Sequence, residues 1–116
     1  MSAVEVLRKA RALLVERGWT QGDYLDHEGK CMCATAAAYI ACGVEFVPPR
    51  DPMSPVDWVP QGSLALGNRA VVALEDVLRR RGDGDDVPEW QDKPGRTLDE
   101  VLAVFDSAIA SLEGPK

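Results

Sequence analysis

The sequence predicts a mostly α-helical single domain: a small bundle of about four helices with a long proline-rich ordered crossover, and room for a short β-hairpin near residues 19–30. Three observations carry this reading. Apolar residues recur at three- and four-residue intervals in separate stretches, as one face of a helix requires. Capping residues and glycines punctuate those stretches. Five of the eight prolines crowd into residues 44–60, where neither a helix nor a central strand can run.

The elements follow in order. Ser2 with Glu5 has the capping-box spacing, and Val4, Leu7, Ala10 and Leu14 then mark one helix face until Gly18 offers a stop. The stretch WTQGDYLDHEGK holds two glycines and no sustained period, so it reads as a loop or short hairpin. From Cys31 or Met32 to Cys42 there is neither glycine nor proline, and Gly43 ends the run. Its alanine series, Ala34 and Ala36 to Ala38 around Thr35, has almost no polar face, which predicts a short helix buried on most sides.

The next segment, VEFVPPRDPMSPVDWVP, is too apolar for a disordered linker and is expected to pack over the core with Trp58 as its anchor. Ser63 is placed to cap a third helix whose face comprises Leu64, Gly67, Val71, Leu74 and Leu78. Three arginines, Arg79 to Arg81, complement the dipole of its last turn before Gly82. DVPEWQDKPGR reads as a turn-rich connector. Thr97 with Glu100 makes a second capping box, and Leu98, Val101, Leu102, Phe105, Ile109 and Leu112 form the cleanest amphipathic stripe in the chain.

Composition narrows the function classes. With 116 residues and 46% hydrophobic content, the chain has core enough for one domain without compulsory staples. No apolar run reaches the length of a membrane span and no secretory block opens the sequence, so a cytoplasmic protein without membrane contact is expected. The net charge of −6 resides in residues 82–116, which carry nine acids and three bases. Such a surface repels nucleic acid and favours a partner protein with a basic face. The arginine triplet lacks a second basic cluster or interleaved aromatics, which argues against nucleic-acid binding. DGDD lacks the spacing of a calcium loop. The spacing of Pro49, Pro52 and Pro55 is only a weak polyproline-ligand signal.

The stretch HEGKCMCATAAAYIACG gathers the single histidine and all three cysteines, a complete zinc set by composition. In one helix, however, Cys33 and Cys42 stand nine residues apart, about 900° of rotation and ~13 Å of rise, which puts them on opposite faces. That leaves His27, Cys31 and Cys33 as a weak metal or thiol alternative. Cys33 near a helix start would have its thiolate favoured by the dipole, with His27 as the available base. The structural alternative makes Cys33 and Cys42 small buried apolar groups and His27 a surface loop residue. No catalytic residue and no cofactor is assigned. No phosphate loop, G-x-S-x-G or H-E-x-x-H is present.

Three pieces, ARALLVERGWTQGDY, CATAAAYIACG and EWQDKPGRTLDEVLAVFDSAIA, resemble an uncharacterised small-protein family, the domain of unknown function 6197, found in high-GC bacteria and their phages. The matching positions are Trp19, Cys33 with Ala37, and Trp90 with Asp92. Ala36 stands where the family has glycine and Gln91 where it has asparagine. The resemblance implies a helical fold and a phage or mobile-element origin, and no reaction. Physically, Trp19, Cys33 and Trp90 are expected to meet in a structural joint, with Asp92 bonding an indole or nearby backbone.

The function expected from the sequence is a non-enzymatic accessory protein that binds another protein, a phage or mobile-element factor modulating a host component. Phe46, Trp58, Asp83, Asp85 and Asp86 are the candidate contact residues. A homo-oligomer with a structural role is a further option, and a small metal- or thiol-dependent enzyme using His27, Cys31 and Cys33 is the alternative from another class.

Overall fold

A computed structural model describes residues 2–22, 24–26, 29–48 and 58–114. Among these residues the chain forms α1 (Ala3–Arg17), α2 (Ala34–Ala41), β1 (Glu45–Val47), β2 (Val59–Gln61), α3 (Ala65–Arg81), α4 (Val87–Gln91) and α5 (Leu98–Glu113). The mostly helical class is therefore as the periodicity predicts.

Side-chain caps set the starts of α1 and α5, and only at α5 do they form a full capping box. Ser2 accepts the Glu5 amide at 3.3 Å, satisfying one of the orphan donors of α1. At α5 the exchange is reciprocal: Thr97 Oγ1 accepts the Glu100 amide at 3.3 Å, and the Glu100 carboxylate accepts the Thr97 amide at 3.1 Å. Gly82 closes α3 in the left-handed conformation at φ 77°, and the Asp83 amide returns to the Leu78 carbonyl at 2.9 Å.

The helix α2 is the centre of the packing, in contact with α1, α3, α4 and β1. Its small side chains explain this position: Ala34, Ala36, Ala37, Ala38 and Ala41 are all buried, so neighbouring backbones approach on several sides. Around it, Leu7 and Leu14 of α1, Leu74 and Leu78 of α3 and Phe105 of α5 fill the core. Each such side chain contributes about 1.5–3 kcal/mol by leaving water. Gly67 marks a close approach of α3 to α2, where a Cβ would clash with the Cδ1–Cε1 edge of the Tyr39 ring. Arg11 to Asp106 at 2.7 Å and Arg8 to Glu113 at 2.8 Å tie α1 to α5 across exposed faces.

Several details differ from the sequence expectation. The two-stranded antiparallel sheet joins the ends of the proline-rich segment, pairing Phe46 with Pro60 and Val47 with Val59. Both strands are edges, which is how Pro60 is accommodated without a missing donor. The stretch expected to hold a hairpin has instead single bridges from Met32 to Trp19 and to Leu25. The connector before α5 contains α4, a fifth helix, capped by the Asp86 side chain on the Glu89 amide at 3.1 Å. Leu64 rather than Ser63 precedes α3, and it makes no side-chain cap. Leu112 is 45% exposed rather than core. The tip of the crossover, residues 49–57, lies outside the described residues.

Candidate functional site

Among the described residues, polar chemistry gathers in a buried joint around Gln91 and in an acidic cavity beside it. The joint begins with α4, which is too short to hold itself by helix propagation and is clamped by its neighbours. Gln91 is its last residue and is 1% exposed. Its side-chain oxygen accepts the Trp19 indole N–H at 2.7 Å and the Ala34 backbone N–H, at the first turn of α2, at 3.1 Å. Its amide nitrogen donates to the Asp92 carboxylate. Asp92 also accepts the Gly22 amide at 2.9 Å, and Gln21 donates to the Gln91 carbonyl at 2.7 Å. A single amide thus fastens the loop after α1, the start of α2 and the end of α4.

The joint expected among Trp19, Cys33 and Trp90 is arranged differently. Trp19 finds its partner in the Gln91 amide, so the turn carboxylate of Asp92 serves backbone and amide instead. Trp90 is 2% exposed, lies 4.1 Å beneath the Arg96 guanidinium, and its indole N–H has no partner among the described residues. Gln91 was missed in the sequence because an isolated glutamine in a turn carries no periodic signal. The need of a buried tryptophan for an acceptor was the available clue, and it pointed one residue too far.

Cys33 is the N-cap of α2, its sulfur accepting the Ala36 amide at 3.3 Å. Burial pushes the thiol up to about 11, outweighing the lowering by the backbone amides of Ala36 and Thr35, and Asp92 adds repulsion. The thiolate that the helix dipole was expected to favour is thus disfavoured by desolvation. Cys31 is half-buried, with its sulfur 3.6 Å from the Arg17 carbonyl. Cys42 stands at the other end of α2 and donates to the Tyr39 carbonyl at 3.1 Å. His27 lies outside the described residues, and among those described no three His, Cys, Asp or Glu side chains gather as a metal set.

The contact candidates separate into two groups. Phe46 is half-buried and spends its ring on Tyr24 and Tyr39, at centroid distances of 5.5 and 6.3 Å. Trp58 is likewise half-buried against the core. The outward apolar side chains of β1 and β2 are Val47 and Val59, beside the exposed Glu45 and Gln61. By contrast, Asp83, Asp85 and Asp86 are exposed and, with Glu89, Trp90 and Lys93, line a cavity of about 430 Å³.

Charge is concentrated there because several other acids of the C-terminal third are engaged. Asp106 and Glu113 pair with α1, and Glu100 pairs with Arg96 at 2.8 Å, which holds its carboxyl below the usual range. At the cavity, Arg81 approaches Asp83 at 3.5 Å, while Asp85, Asp86 and Glu89 form no ion pair among the described residues. Their field reaches α3: burial pushes the Glu75 carboxyl up, Arg79 opposes this, and Asp85 and Asp86 add repulsion.

Fold and site together define a small helical domain keyed by a buried amide, with one concentrated acidic face. The pattern of the Family of unknown function (DUF6197) matches residues 1–111, and the chain belongs to that family. No curated protein and no solved structure matches it. No helix among the described residues is long and apolar enough to cross a membrane.

Proposed function

We propose that this protein is a non-enzymatic accessory protein that acts by binding a basic segment of another protein in the acidic cavity between α3 and α4. The observation that carries the reading is the cavity of about 430 Å³ with Asp83, Asp85, Asp86 and Glu89 on its walls and Lys93 as the opposing cation. Three of these carboxylates, Asp85, Asp86 and Glu89, form no ion pair among the described residues; on a concave surface they offer acceptors to a guanidinium, and the low-dielectric wall supplied by Trp90 strengthens the attraction. The sequence resemblance extends the proposal to a cytoplasmic phage or mobile-element factor that modulates a host protein.

The test is titration of the full chain with a short arginine-rich peptide and with an acidic peptide of equal length, followed by backbone amide shifts. Saturable shifts confined to residues 82–93, found with the basic peptide alone and weakened at least about tenfold in a D85N/E89Q variant, are expected. Asp86 is left intact because it caps α4. Equal response to both peptides, or binding unchanged in the variant, would refute the proposal.

A further inference from the structure

A second concave site of opposite charge lies on the other side of the α3 terminus. Arg80 and Arg81 of α3 and Ser107 and Ser111 of α5 line a groove of about 370 Å³, with the buried Val77 as its apolar wall. We infer that this groove binds a phosphate or a phosphate monoester.

The three arginines that end α3 have different commitments. Arg79 is paired with Asp76 in its own helix, and Arg81 approaches Asp83 at 3.5 Å. Arg80 forms no ion pair among the described residues; its Nε donates to the Asp76 backbone carbonyl at 3.3 Å, which anchors the guanidinium. Arg80 therefore brings a full, unneutralised charge to the groove on a fixed stem.

Across the groove, Ser107 and Ser111 stand one turn apart, so their hydroxyls are spaced by about 6 Å along α5. The intervening acid problem is solved by orientation: the neighbouring Asp106 is drawn towards α1 by Arg11 at 2.7 Å. The Arg80 guanidinium, with Arg81 beside it and partly engaged by Asp83, and the two serines of α5 line the groove from opposite sides. A tetrahedral oxyanion uses such a set more fully than a planar carboxylate does. The groove also exceeds the size of a bare phosphate, leaving space for an esterified group.

The experiment is an amide-shift titration of the full chain with inorganic phosphate and, separately, with O-phosphoserine, chloride being exchanged to hold ionic strength constant. Saturable shifts confined to residues 77–82 and 107–111 are expected. Tighter binding of O-phosphoserine assigns the groove to a monoester, and equal binding assigns it to the free ion. R80Q should weaken binding about tenfold and the S107A/S111A variant severalfold, while R69Q, on the exposed face of α3 near its start, should not. Shifts that fail to saturate, or an equal loss in R69Q and R80Q, would mean a diffuse charge effect and overturn the inference. Unchanged binding in both R80Q and S107A/S111A would do the same.

Discussion

The Trp19 indole donates to the Gln91 amide oxygen at 2.7 Å, and the same oxygen takes the first free amide of α2 from Ala34 at 3.1 Å. The Ala34 donor is buried and the Trp19 indole is half-buried where the loop after α1 meets α4. The oxygen thus answers two needs with one group: an indole that must bond to be buried, and a helix start with unpaired N–H groups.

Replacing Gln91 with leucine keeps the volume roughly constant and strands both donors. Each buried unpaired donor costs about 1–3 kcal/mol, offset in part by the apolar gain, so Gln91→Leu should lose about 3 kcal/mol. Urea unfolding should show a lower midpoint with an unchanged slope.

Gly67→Ala tests two opposing effects. Alanine is the better helix former by about 1 kcal/mol, and Gly67 has no positive φ to defend. Its Cβ would, however, clash with the edge of the Tyr39 ring, which Phe46 and the 2.5 Å bond from its hydroxyl to Asn68 hold in place. Overpacking costs typically 1–3 kcal/mol, so a net loss of about 1–2 kcal/mol is expected by the same unfolding measurement.

Cys33 predicts a pH dependence with a definite sign. Its thiol is raised from 9.0 to about 11 on folding, so folded and unfolded chains are equally protonated below about pH 9. Between about 9 and 11 only the unfolded chain ionises, and stability should fall by roughly 2–3 kcal/mol as pH rises. A Cys33→Ala variant should lose this Cys33-specific part of the alkaline decline, at the cost of about 1 kcal/mol for the lost cap. Thiol labelling of the folded protein near neutral pH should spare Cys33 and proceed faster at the half-buried Cys31.

Thr97→Ala removes one half of the reciprocal cap on α5 and should cost about 1 kcal/mol, with fraying at Leu98 and Asp99 visible in amide exchange. Thr97→Ser should restore most of it.

The elements legible in the sequence were those whose signals are local. Ser2 with Glu5 and Thr97 with Glu100 fix helix starts by spacing alone, and Leu7, Leu14 and Phe105 repeat often enough to declare a buried face. Helix α4 escaped notice because five residues cannot display a 3.6 period, although Asp86 and Glu89 stand at capping distance. The β1–β2 pairing escaped because strands of three residues, one holding Pro60, show no alternation. Asp83, Asp85 and Asp86 could be singled out as a charged group from their order. Their placement around a cavity depends on where Gly82 turns the chain and how Gln91 seats α4, which are tertiary facts. The groove of Arg80 and Ser107 joins residues from two helices distant in sequence, and no spacing rule links them.

The bonds of Gln91 reach across 72 residues to Trp19 and 57 to Ala34, more than half the chain in one case. Closing loops of that length is costly until the intervening segments are already compact. Helices α1, α2 and α3 are therefore expected to assemble before α4 locks, with the amide engaging on the native side of the folding barrier. Gln91→Leu should accordingly leave the refolding rate nearly unchanged and accelerate unfolding by about a hundredfold for a 3 kcal/mol loss. The glutamine then acts as a latch on lifetime, setting how long each folded molecule persists rather than how fast it forms.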